Sequence, residues 1–292
     1  GKVNLKYVNV LGPYNKRKSK GEALNNSVWF FGGSTMWGSG ASDAQTIPSH
    51  FNSLTKFPVY NFGEHAWTSR QSLNQLINSI GDDNTPSVVI FYDGVNDVII
   101  QCRSEIKLLP AHGREKQIQN ALKPLPLQRR FSNFILSPYI AFTNKFIIEQ
   151  SGEDIVDSKQ FNCDTNQEKA RLIAKHLVNN WRTAYALSRT YDFEFYGILQ
   201  PTLFSTKTNS EYLISNEVNT HPKYKRQYSA VYPLILDEMN RHCESEKDLC
   251  SSMINATDWL DGQKNIFIDF CHVNSVANKV IAQRIKSLLK YP

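Results

Sequence analysis

The chain has 292 residues, of which 41% are hydrophobic and 21% are charged, and its formal net charge is +6. No apolar run reaches the roughly 18 residues that a membrane helix requires, so a membrane span is not expected. Basic residues cluster at 16–18 and 223–226 without the interleaved aromatic residues of a nucleic-acid platform, which favours a solvated surface over a nucleic-acid partner. The chain is long enough to bury a full hydrophobic core.

The cysteines are scattered, at positions 102, 163, 243, 250 and 271. None forms a C-x-x-C pair and none lies at zinc-binding spacing from histidines, so we expect no metal. Cys243 and Cys250 are close enough in sequence for a local disulfide, which would suit an oxidising compartment. Reduced, buried thiols would give the same pattern, so both states stay open.

Residues 1–26 are polar and rich in Lys, Asn and Gly, and we expect an irregular lead-in on the surface. The chain opens on Gly1 rather than on methionine, which leaves room for an upstream signal or anchor.

An apolar run at 28–31 predicts the first strand, which passes through Gly32 and Gly33 to Ser34. A buried strand that stops at a glycine-flanked serine is how α/β enzymes present a nucleophile at the carboxyl edge of a parallel sheet. The G-x-S-x-G motif does not apply, because Met36 occupies the place of its second glycine. An ordinary Gly-Ser turn is the alternative.

Two further strands are predicted at 58–63 and 87–92, with helices at 46–54 and 69–80. Pro48 lies in the first turn of the earlier helix, where proline is favoured. The strand at 87–92 is apolar without alternation, as expected of a strand that is covered on both faces. These repeated strand–turn–helix units predict a doubly wound parallel sheet whose polar turns all lie at one edge.

Residues 101–165 are rich in Lys, Arg, Pro and Gln before they become apolar, and they contain no convincing strand. We expect a helical insertion over the sheet edge, as a lid or a substrate-facing wall, with a partner-binding element as the alternative. Strands and helices then alternate again. The predicted elements are a helix at 167–190, a strand at 193–199, a helix at 229–241, a fifth strand at 265–272 and a helix at 275–289.

Four short segments carry Ser, Gly, Asn and His in that order along the chain. They are Gly33-Ser34, Asn-Phe-Gly at 61–63, Gly-Val-Asn-Asp at 94–97 and Asp-Phe-Cys-His at 269–272. This order resembles the SGNH superfamily of serine hydrolases, the GDSL-type esterases and lipases, whose four blocks supply these residues. The wider pattern around the first and third segments resembles the bacterial branch associated with surface polysaccharides. Gly33 stands where the lipases that give the family its name have Asp.

The resemblance implies that Ser34 is a nucleophile and that His272 is the base that takes its proton. Asp269, in the same loop, would accept a hydrogen bond from the far ring nitrogen and stabilise the imidazolium. The oxyanion hole would consist of the backbone N–H groups of Ser34 and Gly63 and the side-chain amide of Asn96. Taken singly, each residue has a structural alternative, such as a helix-capping acid, a loop histidine, a left-handed turn or a strand-ending glycine.

Five residues that follow the nucleophile and the oxyanion glycine are expected to line the rim of the site. They are Trp37, Glu64, His65, Trp67 and Arg70. The aromatic side chains would suit stacking on a sugar ring, and Arg70 could hold an anionic group. Core packing explains the two tryptophans equally well. We interpret Cys271 as a packing residue.

The sequence therefore predicts a single α/β domain over residues 1–292, with a flavodoxin-like three-layer α/β/α fold around a five-stranded parallel sheet. The expected function is hydrolysis of O-acyl esters, with O-acetyl as the expected group, on a cell-envelope or exported glycan. The reaction would pass through an acyl-Ser34 intermediate without a cofactor. The substrate would be an acylated glycan or a small acyl ester, the protein a monomer, and its location periplasmic or cell-envelope. Two alternatives stay open: an acyltransferase with the same triad, and a non-catalytic glycan-binding or assembly protein.

Overall fold

The structure, a computed structural model, describes residues 3–4, 6–11, 16–81, 84–107, 109, 160–208 and 222–289. Three short antiparallel strands come first: β1 (Val3–Asn4), β2 (Asn9–Leu11) and β3 (Lys16–Arg17). Five strands then form the central sheet: β4 (Val28–Gly32), β5 (Val59–Asn61), β6 (Val88–Asp93), β7 (Glu194–Leu199) and β8 (Met253–Asn255).

The strands of the central sheet lie in the spatial order β5-β4-β6-β7-β8, and every neighbouring pair is parallel. This is the flavodoxin-like order, in which the chain first steps outward and then crosses over to add strands on the other side. The predicted α/β fold class is confirmed. The order places the carboxyl ends of β5, β4 and β6 side by side.

Eight α-helices connect and cover these strands within the described ranges: α1 (Ser34–Trp37), α2 (Ile47–Thr55), α3 (Ser69–Ser79), α4 (Val95–Gln101), α5 (Gln167–Tyr191), α6 (Pro222–Ser245), α7 (Lys247–Cys250) and α8 (Ser275–Leu288). Thr46 caps α2 by accepting the N–H of Ser49, and Pro48 lies in its first turn as predicted. None of the helices described combines the length and the hydrophobicity that a membrane crossing requires.

The sheet separates two hydrophobic cores, because successive side chains of a strand point to opposite faces. On one face, Trp29 and Phe31 of β4 pack with residues of α3, α5 and α6. On the other face, Val28 and Phe30 pack with residues of α2 and α8. All four side chains are fully buried, which explains the unbroken apolar run that predicted this strand.

The fifth strand of the sheet is not the apolar segment at 265–272, and that prediction is wrong. The fifth strand is β8, while residues 265–272 form a loop that is closed by a bridge between Phe267 and Val273. Ile266 and Phe267 are buried in the core that α8 covers. The apolar pattern of the segment therefore reports the burial of a loop, whereas β8 has three residues and is too short to give a pattern of its own.

The N-terminal lead-in is also more ordered than expected, because residues 1–26 contain β1, β2 and β3. Lys16 and Arg17, which the sequence assigned to a solvated basic run, are only 5% and 1% exposed. The predicted helical insertion at 101–165 lies for the most part outside the described residues, which stop at 109 and resume at 160.

Two disulfides are formed. Cys243 bonds to Cys250, the local pair that the sequence left open. Cys102 bonds to Cys163 and so joins the two ends of the predicted insertion, 61 residues apart. Cys271 is free and buried.

The longer disulfide should stabilise the fold more than the shorter one. Loop closure removes conformational entropy from the unfolded chain, and for sequence separations of 61 and 7 residues this corresponds to about 4 and about 2 kcal/mol. We expect Cys102→Ser/Cys163→Ser to lose roughly twice as much free energy of unfolding as Cys243→Ser/Cys250→Ser in urea denaturation. A larger loss from the shorter loop would contradict this expectation.

Candidate active site

Ser34 lies at the carboxyl end of β4, where the strand passes into the short helix α1. Gly32 allows this turn, because its φ of 153° favours glycine and a Cβ there would lie 2.5 Å from the carbonyl oxygen of Tyr92. Ser34 is half-buried. As the first residue of α1, it has a backbone N–H with no partner within the helix. The turn therefore presents both a hydroxyl and an N–H at the sheet edge.

His272 and Asp269 lie in line behind the Ser34 hydroxyl. The Oγ atom of Ser34 is 2.6 Å from Nε2 of His272, across 238 residues of sequence. Nδ1 of His272 is 2.5 Å from Oδ2 of Asp269. With the proton on Nδ1, the ring donates to Asp269, and Nε2 accepts the hydroxyl proton of Ser34. The three side chains thus form a continuous hydrogen-bonded chain.

A single carboxylate shapes the loop that carries this histidine. Oδ1 of Asp269 accepts the backbone N–H of Cys271 at 2.8 Å and that of His272 at 2.7 Å. Oδ2 is left for the imidazole. The helix-capping alternative for Asp269 is excluded, because Asn274 caps α8 by accepting two N–H groups from its first turn.

The carboxyl group of Asp269 is held in its ionised form. Partial burial raises its pKa, but hydrogen bonds from the ring and the backbone of His272 and from the backbone of Cys271 outweigh burial, and the pKa falls from 3.8 to about 2. Because the pKa is lowered in the folded protein, this carboxylate stabilises the fold above about pH 4, and the contribution is lost as the pH falls towards 2.

Asp269, Cys271 and His272 also have the spacing of a metal site, since their ligand atoms all lie within 4.8 Å of one another. Their chemistry does not fit a metal ion. Burial raises the pKa of the Cys271 thiol well above its usual value, so the thiol stays neutral and is a poor ligand. The carboxylate and the imidazole are already hydrogen-bonded to each other.

The side-chain amide of Asn96, on α4, lies against the nucleophile turn. A Cβ on Gly33 would lie 2.3 Å from its Nδ2 atom. The amide donates one hydrogen bond to the carbonyl oxygen of Trp67, at 2.9 Å. Because an amide has two N–H donors, one remains available for an oxyanion next to Ser34.

Gly63 lies just beyond β5, where the chain passes close to α1. A Cβ at this position would lie 2.4 Å from the backbone nitrogen of Trp37, so only glycine fits. The N–H of Gly63 donates to Oδ1 of Asn61 at 2.9 Å, and Nδ2 of Asn61 donates to the carbonyl oxygen of Met36 at 3.1 Å. Asn61 therefore ties β5 to α1, and an oxyanion would have to share the N–H of Gly63 with it.

Two buried carboxyl groups flank Asn96 and hold the surrounding backbone. Asp97 accepts the N–H and the hydroxyl of Ser69 and the N–H of Gly94, so it joins the starts of α3 and α4. Asp93 accepts hydrogen bonds from side chains of α3 and α5. Burial raises the pKa of both carboxyl groups, and the charge of Asp97 raises that of Asp93 further. In the sequence, nothing distinguishes Asp93 and Asp97 except their positions on either side of Asn96.

His65 and Trp37 lie together beside the triad. Their ring centroids are 4.3 Å apart. Partial burial lowers the pKa of His65, the carboxylate of Glu64 partly opposes this effect, and the charge of Arg17 adds to it. Since Trp37 is the last residue of α1, which begins at Ser34, the two rings lie next to the helix that carries the nucleophile.

Trp67 and Glu64 belong to the same rim, whereas the charge of Arg70 acts on His176 of α5. The carbonyl oxygen of Trp67 accepts from Asn96, and the N–H of Glu64 donates to the last residue of β4 at 3.0 Å. Arg70 is exposed on α3. Burial lowers the pKa of His176 on α5, and nearby cations, Arg70 among them, add to this effect. No contact between Arg70 and the triad is present among the described residues, so its anion-binding role stays a prediction.

Sequence reasoning missed two residues of the rim, Lys16 and Arg17 of β3. The guanidinium of Arg17 lies 4.3 Å from the ring centre of Trp37, and its Nε donates to Asp43 at 2.6 Å. The ammonium of Lys16 lies 4.2 Å from the ring centre of Trp67. A Lys/Arg run in a polar segment is typical of a solvated surface, so nothing in the local sequence marked either residue.

A flavodoxin-like parallel sheet with a hydrogen-bonded Ser–His–Asp chain at its carboxyl edge defines a protein of the serine-hydrolase type. The sequence profile of the GDSL-like lipase/acylhydrolase family matches residues 28–285. The chain belongs to this family and is an SGNH-type esterase that acts on acyl esters.

Several solved structures are similar to this chain at low sequence identity. A G-D-S-L lipolytic protein from Veillonella parvula is 11% identical, with 89% of this chain and 96% of that chain covered and a TM-score of 0.44. An acetyl xylan esterase is 12% identical, with 90% and 99% covered and a TM-score of 0.41. A carbohydrate acetylesterase from Sinorhizobium meliloti is 13% identical, with 91% and 100% covered and a TM-score of 0.42. No curated protein sequence matches that of this chain.

Gly33→Ala should disable the site through Asn96 without changing any triad side chain. The φ of Gly33 is −80°, a value that alanine adopts, but its Cβ would lie 2.3 Å from Nδ2 of Asn96. Displacing one oxyanion donor should lower kcat for an activated acyl ester by about 10²- to 10³-fold.

Gly81→Ala is the matched control, because none of the described residues has an atom within 4 Å of the Cβ that it would add. This variant should keep wild-type kcat and melting temperature. Wild-type activity in Gly33→Ala would argue against a catalytic role for Asn96.

Proposed function

We propose that the protein hydrolyses O-acetyl esters of a cell-envelope or exported glycan through an acyl-Ser34 intermediate. The observation that supports this mechanism is the 2.6 Å contact between Oγ of Ser34 and Nε2 of His272, with Asp269 at 2.5 Å from the other ring nitrogen. A hydroxyl in this geometry can lose its proton to the imidazole as it attacks a carbonyl carbon.

The reaction would proceed in two halves on the same three side chains. Oγ of Ser34 attacks the acyl carbon while its proton passes to Nε2 of His272, and ionised Asp269 stabilises the imidazolium. The imidazolium then gives this proton to the alcohol oxygen as the ester bond breaks, which leaves the acyl group on Ser34. Water, losing a proton to the same imidazole, attacks the acyl carbon, and Ser34 regains its proton as the carboxylic acid leaves.

The negative oxygen of each tetrahedral intermediate would be stabilised at the start of α1. The backbone N–H of Ser34 and the second amide N–H of Asn96 are the donors that are not already committed to the protein. The N–H of Gly63 would contribute a bond shared with Asn61. Fixed donors of this kind need no reorganisation as the charge develops, which is why they lower the barrier.

A sugar-based substrate is supported by the character of the rim. Trp37 and Trp67 are both half-buried and offer apolar ring surface for stacking on a sugar. Each ring also has a cation over it, Arg17 in one case and Lys16 in the other. Sugar hydroxyls are compatible with this polar setting, whereas a long acyl chain would gain little from it.

An exported location is supported by the cysteines. Cys102–Cys163 and Cys243–Cys250 are both bonded, and disulfides persist mainly in oxidising compartments such as the periplasm or the cell exterior.

Ser34→Ala tests the proposed nucleophile. Because no acyl-enzyme can form without the hydroxyl, hydrolysis of an activated acetyl ester and of an acetylated glycan should fall by at least about a thousandfold. The control is the melting temperature, which should stay close to that of the wild type. Substantial activity in a folded Ser34→Ala variant would show that another group is the nucleophile.

The pH profile tests the roles of Asp269 and His272. Since the pKa of Asp269 is about 2, this carboxylate stays ionised across an assay range of about pH 4 to 9 and should add no inflection there. The acid limb of kcat/KM should therefore show no more than one inflection above about pH 4, because Asp269 contributes none.

Asp269→Asn should lower kcat by up to about 10⁴-fold while the fold is retained, because an amide cannot stabilise the imidazolium as a carboxylate does. Two inflections on the acid side of the wild-type profile, or near-wild-type kcat in Asp269→Asn, would contradict the assigned roles.

A further inference from the structure

Lys16 brings a positive charge to the rim of the site from the N-terminal strands. Only 5% of this residue is exposed, and its Nζ lies 4.2 Å from the ring centre of Trp67. The carbonyl oxygen of Trp67 accepts from Asn96 and would lie 3.5 Å from a Cβ on Gly33. A single tryptophan therefore links the ammonium to the oxyanion donor beside Ser34.

The charge of Lys16 is not matched by a hydrogen bond within the part of the chain that the structure describes. Its contacts there are the face of Trp67 and the through-space charge of Glu64. Burial lowers the pKa of Lys16, and Glu64 only partly opposes this effect. Because no acceptor among the described residues occupies it, the ammonium is available to bind an anion at the rim of the site.

Arg17, the next residue, is a buried cation whose guanidinium is hydrogen-bonded by the protein itself. Its guanidinium donates to Asp43 at 2.6 Å and to the carbonyl oxygens of Gly38 at 3.3 Å and Ala41 at 2.7 Å. Arg17 therefore fixes β3 in place with groups that the protein itself provides. Lys16 has similar burial and a similar aromatic contact but none of these acceptors.

The family match starts at residue 28, so β3 lies outside the matched part of the chain. The nucleophile, the base and the oxyanion residues all lie inside it. A cation that is delivered to the catalytic rim from outside the family core is well placed to select among substrates rather than to perform the chemistry.

We propose that Lys16 determines specificity for an acetylated sugar that carries an oxyanion, such as a carboxylate, close to the ester. This inference rests on the proposed esterase function and adds the substrate class to it. The oxyanion accepts a hydrogen bond from Nζ of Lys16 while the sugar ring lies against Trp67 and the acyl carbon reaches Ser34. A sugar phosphate would present the same oxyanion chemistry.

The test compares kcat/KM for three acetylated monosaccharides: a neutral methyl glucoside, a methyl glucuronide and a methyl glucoside 6-phosphate. The wild type should prefer at least one charged sugar by about tenfold or more, as expected of a charge-assisted hydrogen bond. A preference for the glucuronide would indicate a carboxylate-binding site, and a preference for the 6-phosphate would indicate a phosphate-binding site. Lys16→Met keeps the alkyl stem against Trp67 and should bring the charged-to-neutral ratio close to one, chiefly through KM. Lys16→Arg should retain part of the preference.

Lys18→Met is the matched control, because Lys18 is an exposed cation just beyond β3. This variant should keep the wild-type ratio. The role of Lys16 would be overturned by a wild type without preference or by an unchanged ratio in Lys16→Met. Hydrolysis of the neutral sugar would in that case still support the esterase function. If the wild type hydrolyses neither these sugars nor an activated acetyl ester, the proposed function itself fails.

If Lys16→Met does not fold, inhibition of the wild-type enzyme tests whether the site prefers a charged sugar. The unacetylated methyl glucuronide, methyl glucoside and glucoside 6-phosphate are compared as competitive inhibitors of activated-ester hydrolysis. An inhibition constant about tenfold lower for a charged sugar, with the difference shrinking as salt is added, supports the proposal. Equal inhibition constants for all three would overturn it.

Discussion

The site depends on the carboxylate of Asp269, because this group shapes a loop and orients a base at the same time. One oxygen accepts two backbone N–H groups, and the other faces the imidazole of His272. These hydrogen bonds outweigh burial, so the group stays ionised. The loop is thereby held in one conformation, and the imidazole stays within reach of Ser34, which is 238 residues away in sequence.

The sheet positions the residues of the predicted oxyanion hole, and it does so by steric fit rather than by charge. Three neighbouring strands end at one edge and lead to Gly63, Ser34 and Asn96. Glycines bring these segments closer together than side chains would permit, since a Cβ on Gly33 or Gly63 would overlap Asn96 or the backbone of α1. Because Gly33 and Gly63 have no side chains, the oxyanion-hole donors can lie close to the hydroxyl of Ser34.

The sequence predicted the central strands and the convergence of Ser34, His272 and Asp269 at one sheet edge, because both leave local signals. A strand that is buried on both faces has a continuous apolar run, and the polar residues after such runs gather at one edge of a parallel sheet. The same logic failed at 265–272, because hydrophobicity reports burial and not backbone conformation, and Phe267 is buried in a loop. Strand β8 was missed because three residues are too few for a period to show.

The burial of Lys16 and Arg17 could not be predicted for a different reason, since it depends on partners that lie far away in the sequence. Arg17 is buried because Asp43, two carbonyl oxygens and Trp37 surround it, and none of these is its neighbour in the chain. Two adjacent cations of the same basic run thus have different roles. One is neutralised by the protein and fixes the strand, while the other lies over the ring of Trp67 and has no acceptor among the described residues. In this chain, the triad belongs to the family core, and the charge that selects the substrate comes from a strand added in front of it.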